Sequence, residues 1–345
     1  MLYRMTTRIR KFQFRFGHQI ERRLIHDRRI LDGDNNQIIM TKIYDGLLLL
    51  AEILFLIFKV LYFICESICT MFIPVTRKSV TGEIVLVTGA GHGIGKELAI
   101  NYATLGATVV CWDINEGTNK QTMNEIKQMG KHSVYAYRCN VADREEVFKI
   151  AEKVRREVGD VTILVNNAGI AYAKKLLDQS VDEIVRVIDV NMISHYWTLR
   201  AFLPSMIEKN RGHVVAISSM AGLMGATHGT VYCATKSAIK ALMEAISDEL
   251  RTYSNKKSLI KFTTVYPSLI LTGIAKKPRT RFTCVMEGIA PQKAAALIID
   301  AQRQNLKETT IPSHWLPILY AARILPNKVV NCIWDFLDIG VDAED

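Results

Sequence analysis

Ile84-Val85-Leu86-Val87-Thr88-Gly89-Ala90-Gly91-His92-Gly93-Ile94-Gly95 is the stretch on which the fold turns. The segment Ile84–Thr88 is apolar on consecutive positions, the pattern of a strand buried on both faces. It runs directly into a glycine-rich turn, and a helical pattern follows. Glycines at such a turn let the backbone approach a pyrophosphate, whose charge then rests at the helix N-terminus. A lone glycine motif is a weak signal, and a turn holding no ligand is its bland alternative. Here the required strand and helix flank it.

Outward from this turn, strand-like runs alternate with helical patterns. The strands read as Thr108–Trp112, Ser133–Arg138, Val161–Val165, His213–Ser218, Ile260–Tyr266 and Thr309–Ile311, and a long helix spans about Val181–Lys209. Such alternation predicts an α/β fold, a doubly wound (Rossmann-like) parallel sheet of seven strands over residues 81–312. No internal repeat or low-complexity tract interrupts it.

Three constellations carry chemistry. Asp113 ends the second strand, 24 residues after Gly89, where a carboxylate binds both hydroxyls of an adenine ribose and repels a 2′-phosphate. This favours NAD as cofactor; His92 and Lys96 beside the loop keep NADP open. Asn166-Asn167-Ala168-Gly169 follows the fourth strand, at the carboxyl edge where ligands bind in such sheets. Tyr232-Cys233-Ala234-Thr235-Lys236 places a phenol and an ammonium at i and i+4 on one helix, with Ser219 thirteen residues before the tyrosine. A phenol titrates near 10 and is a poor base at neutrality, so a nearby ammonium is expected to draw it toward the working range. No cluster has the spacing of a metal site.

These residues resemble the short-chain dehydrogenase/reductase family over roughly residues 80–312. The glycine motif matches at Thr88, Gly89, Gly93 and Gly95. The resemblance implies a catalytic tetrad of Asn191, Ser219, Tyr232 and Lys236, with the asparagine holding a water that links the lysine to solvent. It further implies cofactor contacts from Gly89, Gly93, Ile94, Gly95, Asp113, Asn140, Val141, Asn167, Ala168, Gly169, Tyr232, Lys236, Pro267, Ile270 and Thr272. Two positions depart from the pattern: Asn140 replaces the acid that usually meets the adenine, and Pro267-Ser268 replaces the usual Pro-Gly. The family also implies a homodimer joined through the helices that carry Asn191 and Tyr232.

The N-terminal quarter is different in kind. Of a net charge of +10, residues 1–42 hold ten Lys/Arg against four acids, or +6. Leu47–Ile73 is then a 27-residue apolar run without proline or glycine, long enough to cross a bilayer core. Eighteen of its residues are Leu, Ile, Phe, Val or Met, each worth roughly −0.3 to −0.6 kcal/mol on insertion. Glu52, Lys59 and Glu66 cost at most about 2.5 to 3.5 kcal/mol each. The balance favours membrane association. Because these charges are seven residues apart, they form one helical stripe, leaving open an interfacial helix as well as a span. The run starts too far in and is too long for a cleavable signal peptide. Basic residues flank both ends, so orientation stays open.

The expected organisation is a basic arm (1–46), a membrane anchor (47–73), a catalytic domain (81–312) and an amphipathic tail (313–345). In that tail, Trp315–Leu337 suits either a membrane interface or a lid over the substrate pocket. Seven cysteines without a C-x-x-C pair argue for a reducing compartment. Cys65 and Cys69 are expected to be ordinary buried thiols, with acylation as the alternative. Nucleic-acid binding is not expected, since the basic arm belongs to no recognised module.

Phe72-Ile73-Pro74 through Gly95, together with Ile311-Pro312-Ser313 and Ile324-Leu325-Pro326, resembles the membrane and lipid-droplet 17-beta-hydroxysteroid and epidermal retinol dehydrogenases of the same family. That resemblance implies an endoplasmic-reticulum or lipid-droplet enzyme facing the cytosol, which interconverts a lipophilic alcohol, retinoid or steroid, and its carbonyl. The alternatives are an NADP-dependent carbonyl reductase and a catalytically weak lipid-surface protein of the same fold. The complete tetrad speaks against the last.

Overall fold

The computed structural model describes residues 35–71, 75–273, 278–282, 287–338 and 340–342, in two compact units, Met1–Val75 and Thr76–Asp345. Residues 1–34 of the basic arm, positions 72 and 73 of the apolar run, Pro74 and Cys284 lie outside the described residues.

In the first unit, helix α1 (Asn35–Met71) begins well before the apolar run and takes in the end of the basic arm. Within it, Ile39–Cys69 is long and apolar enough to cross a membrane, with a mean hydropathy of 2.5 over its most apolar window. None of that window is buried in the protein, and Phe58 is 69% exposed. The Lys59 ammonium lies 5.8 Å from the centre of the Phe63 ring, which lets an apolar neighbour screen one of the three charges. Cys65 and Cys69, expected to be buried, are both exposed. Among the described residues of its own unit, no interior buries these apolar side chains.

The second unit is built on strands β1 (Ile84–Thr88), β2 (Thr108–Asp113), β3 (Val134–Arg138), β4 (Ile163–Asn166), β5 (His213–Ile217), β6 (Lys261–Pro267), β7 (Pro278–Arg279), β8 (Glu308–Ile311) and β9 (Gly340–Val341). Seven of them form one sheet in the order β3-β2-β1-β4-β5-β6-β8, with every neighbouring pair parallel. The short β7 and β9 make a separate antiparallel pair. The helices are α2 (Gly93–Thr104), α3 (Glu116–Gln128), α4 (Arg144–Glu157), α5 (Val181–Ile188), α6 (Ser194–Glu208), α7 (Thr230–Tyr253), α8 (Pro291–Arg303), α9 (Trp315–Ala322) and α10 (Asn327–Leu337).

Strand alternation divides the core into two layers. Val85, Val87, Val109, Cys111, Val165 and Val215 face one side, where Leu98 and Tyr102 of α2 and Ile298 of α8 cover them. Leu86, Val110, Trp112, Leu164 and Val214 face the other, under Val147 of α4, Phe202 of α6 and Ile239 of α7. Burial on both faces is what made these strands read as continuous apolar runs. Strand order reverses between β1 and β4, and a crevice opens at their carboxyl ends.

The long helix expected over Val181–Lys209 is interrupted. Between α5 and α6 the chain makes a π-turn, Asp189–Ile193, and Asn191 sits in it, fully buried. The extra residue turns the Asn191 amide inward, where Oδ1 accepts from Ile170 N–H and Nδ2 donates to Ile170 C=O, both at 2.8 Å. The Asn191 side chain is thus paired through both amide atoms with the Ile170 backbone.

If α1 anchors the chain, residues 43–80 should carry a fused soluble reporter into the membrane pellet, and alkaline carbonate should fail to extract the full-length protein. Release of the full-length protein into the soluble fraction would rule out an integral anchor.

Candidate active site

The crevice begins with the turn between β1 and α2, where packing explains the glycines. A Cβ at position 95 would stand 2.0 Å from the Gly89 carbonyl oxygen, so only glycine lets α2 start this close to β1. At position 91 a Cβ would lie 2.4 Å from Thr118 Oγ1 and 3.0 Å from Asp113 Oδ2. Gly89 and Gly93 also have positive φ, 68° and 56°. The N-cap, His92, makes no side-chain capping bond, so the first N–H groups of α2 face the crevice uncapped.

Thr88 ties this turn to the next strand. Its hydroxyl oxygen accepts from Asn167 N–H (2.9 Å) and Ala168 N–H (3.0 Å), while Asn167 Nδ2 donates to the Thr88 carbonyl (2.9 Å). The Asp113 carboxylate is held by two backbone donors, Gly91 N–H and Asn115 N–H, each at 2.8 Å. Fixed on both oxygens, it keeps its direction toward the crevice.

A cavity of about 400 Å³ is lined by Gly89, Gly93, Ile94, Asp113, Asn167, Ala168, Gly169, Ser219, Tyr232, Lys236, Pro267, Ile270 and Thr272. A second, of about 390 Å³, shares Gly89, Asp113, Ala168 and Gly169 with the first and adds Asn140 and Val141. All but two of the residues expected to be catalytic or to contact the cofactor therefore meet at one continuous crevice. The exceptions are Gly95, which sets the approach of helix to strand, and Asn191, which holds the Ile170 backbone from behind. The elongated, glycine-floored shape, with a carboxylate part-way along, fits a dinucleotide.

At the other end lies the proposed proton-transfer group. Tyr232 and Lys236 sit in the first turns of α7. Ser218 at the end of β5 fixes that helix by donating to the Lys236 carbonyl (2.7 Å). The Lys236 side chain is 3% exposed; Nζ donates to the Ile217 carbonyl (2.9 Å) and lies 5.6 Å from the centre of the Tyr232 ring. Ser219 accepts from Ala221 N–H (3.2 Å) and is hydrogen-bonded to the Tyr232 phenol.

The electrostatics differ from the sequence expectation. Burial pushes the Tyr232 phenol up to about 12, and the Ser219 hydrogen bond offsets only part of that rise. Burial also lowers Lys236 to about 8. Desolvation is the largest cause of both shifts. At neutral pH the protein therefore presents a protonated phenol.

Sequence reasoning missed the apolar wall of the cavity: Met220, Met224, Tyr172 and Leu269. Scattered single residues in loops give no periodic signal. The tail contributes too. Trp315 and Leu319 of α9 are buried with Met220, Leu223 and Tyr266, so α9 packs behind the cavity wall, and Gly340 reaches the lining itself. Its other side exposes Ile318, Ile324 and Phe336.

A family model described as short chain dehydrogenase matches residues 83–281. The chain belongs to the short-chain dehydrogenase family. It is similar to epidermal retinol dehydrogenase 2 of Mus musculus, 40% identical over 81% of this chain and 90% of that protein. It is similar also to 17-beta-hydroxysteroid dehydrogenase 13 of Homo sapiens, 37% identical over 81% and 91% of the two chains. Among solved structures, a Burkholderia phymatum short-chain dehydrogenase/reductase in complex with NAD matches with a TM-score of 0.64 at 25% identity, covering 70% of this chain and 93% of that one. A metagenomic short-chain oxidoreductase in complex with NADP matches with a TM-score of 0.56 at 26% identity, over 68% and 96%. This short-chain dehydrogenase is accordingly an oxidoreductase acting on CH–OH groups with a nicotinamide cofactor.

Tyr232→Phe removes the phenolic proton while keeping the ring. Turnover should fall by about 10² or more, the general acid–base contribution, with dinucleotide binding retained. Turnover above a tenth of the wild type would contradict the role given to Tyr232.

Proposed function

We propose that the protein is an NAD-dependent dehydrogenase of a lipophilic primary or secondary alcohol, retinoid or steroid, working at a membrane surface. The observation that carries the reading is the meeting of Tyr232, Ser219 and Lys236 with an apolar wall at the end of a glycine-floored crevice. A lipophilic alcohol suits that wall, and the retinol and 17-beta-hydroxysteroid dehydrogenases among the relatives support the substrate class. The long apolar helix supports work at a membrane; placement at the endoplasmic reticulum or lipid droplet, with the second unit in the cytosol, rests on the family resemblance.

When bound, the nicotinamide accepts a hydride from the alcohol carbon or returns one to the carbonyl. Asp113 would hold the adenine ribose, Asn140 and Val141 the adenine, Lys236 the other ribose, and Thr272 the carboxamide. Tyr232 exchanges a proton with the substrate oxygen, and Ser219 hydrogen-bonds the same oxygen from the sheet side. The buried Lys236 keeps an ammonium hydrogen-bonded to the Ile217 carbonyl beside the phenol ring. Asn191 maintains the Ile170 backbone at the crevice edge. The exposed Tyr196 and Ile207 on α6 support a homodimer through α6 and α7.

NAD is preferred over NADP because two backbone donors hold the Asp113 carboxylate where a 2′-phosphate would fall, and the carboxylate repels that phosphate. Asp113→Ala should narrow the preference for NAD, read as the ratio of kcat/KM values for the two cofactors. A wild-type enzyme that prefers NADP would overturn this assignment.

A further inference from the structure

The chain between β6 and α8 lines the cavity with Leu269, Ile270 and Thr272 and then forms β7. The C-terminal tail comes back to it. β9 pairs with β7 in antiparallel register, Arg279 opposite Gly340, and Gly340 is itself part of the cavity lining. Two strands of two residues each cannot hold on backbone bonds alone, since even a full isolated hairpin is marginal in water. Side chains supply the rest.

Arg279 is their centre. Its Nε lies 2.9 Å from Asp338 Oδ1, and its Nη1 donates to Asp342 Oδ1 (2.7 Å), so one guanidinium bridges carboxylates on both sides of Gly340. Asp338 caps α10 in the left-handed conformation (φ 47°), with its N–H donating to the Trp334 carbonyl (2.9 Å). The Arg281 N–H donates to the Leu337 carbonyl (3.0 Å), and the Arg281 guanidinium lies 5.7 and 5.1 Å from the centres of the Phe282 and Phe336 rings. The side chains of the Arg279 ion pairs are 43% and 48% exposed, so they fasten the tail without locking it. Among the described residues, a Cβ placed at Gly340 would contact Arg279 Nη2 at 3.6 Å and none of the proton-transfer side chains.

We propose that Arg279 is a specificity-determining residue: by bridging Asp338 and Asp342 it fastens Gly340 as a wall of the alcohol cavity. The reacting groups do not depend on that wall, because β5 and α7 place Ser219, Tyr232 and Lys236. An alcohol whose apolar body extends to Gly340 gains contact from a fastened tail, and a small alcohol held at Tyr232 does not. The clamp therefore favours large lipophilic alcohols through binding and leaves the chemical step alone. The proposal rests on the reading of this cavity as the site of alcohol oxidation.

Arg279→Met keeps a long side chain and removes the charge. In detergent-solubilised full-length protein with NAD, it should raise KM for the better-used of retinol and estradiol about fivefold, the worth of two half-exposed ion pairs. Both kcat and the KM for cyclohexanol should stay within about twofold, as expected when binding alone is lost. Arg279→Glu should act in the same way, and adding Asp338→Lys and Asp342→Lys to it should restore most of the affinity by rebuilding the clamp with its charges exchanged. A folded Arg279→Met variant whose KM values for large and small alcohols move together, or not at all, would overturn the proposal. So would a charge-exchanged variant as impaired as Arg279→Glu alone. Amide hydrogen exchange at Arg281 gives a reading that needs no turnover: it should speed up in Arg279→Met, and an unchanged rate would also overturn the proposal. Failure of the underlying reading looks different, for the wild-type protein would then oxidise none of the three alcohols, whatever the exchange shows.

Discussion

Lys236 is a charged side chain held almost entirely out of water, and the geometry around the site follows from accommodating it. A buried cation costs several kcal/mol unless it is paired or hydrogen-bonded. The Ile217 carbonyl at the end of β5 supplies one acceptor. Gly169 leaves room beside it, since a Cβ there would come within 3.3 Å of the ammonium nitrogen. Gly222 lets α7 press against the loop after β5, where a Cβ would meet the Lys236 carbonyl at 2.7 Å. The cost has a pH signature. Lys236 is lowered to about 8, so above that value the unfolded chain binds more protons than the folded one. The full penalty is therefore felt below about pH 8 and relaxes as pH rises toward the ordinary lysine value.

The same economy of space explains the cofactor end. Gly91 and Gly95 bring α2 and the Asp113 carboxylate within contact of β1, and Thr88 locks β4 to that turn through its hydroxyl. The uncapped N–H groups of α2, the Asp113 carboxylate and the Ser219, Tyr232 and Lys236 side chains then share one edge of one sheet. Rigidity matters because hydride and proton transfer need reacting groups in contact, and small displacements cost large factors in rate. Helix α1 obeys a different constraint: among the described residues its apolar side chains find no interior, and by length and composition the helix is able to cross a membrane.

Much of this was legible in the residues. Ile84–Thr88 is a strand as read, because burial on both faces leaves an unbroken apolar run. The glycines at 89, 93 and 95 and the Tyr232/Lys236 pair lie where spacing put them, because turn and helix geometry are local. What escaped depends on contacts distant in sequence. The π-turn at Asn191 exists because of a partner at Ile170, which no helical pattern reveals. The upward shift of Tyr232 reflects how deeply its surroundings bury it, and spacing carries only the proximity of a charge. Cys65 and Cys69 were expected inside because thiols are usually buried, yet no described residue covers them on α1. The tail admitted two readings, and its helices have both a buried side behind the cavity wall and an exposed apolar side.

The central claim is that this crevice oxidises a lipophilic alcohol with a nicotinamide cofactor. The most direct test incubates membranes bearing the protein with a panel of retinol, steroid and long-chain alcohols, first with NAD and then with NADP. Reduced cofactor and carbonyl product are followed together. Reduced NAD should appear with at least one alcohol, in equal amount to the carbonyl formed, and more slowly with NADP. Dinucleotide binding without turnover of any alcohol on the panel would contradict it.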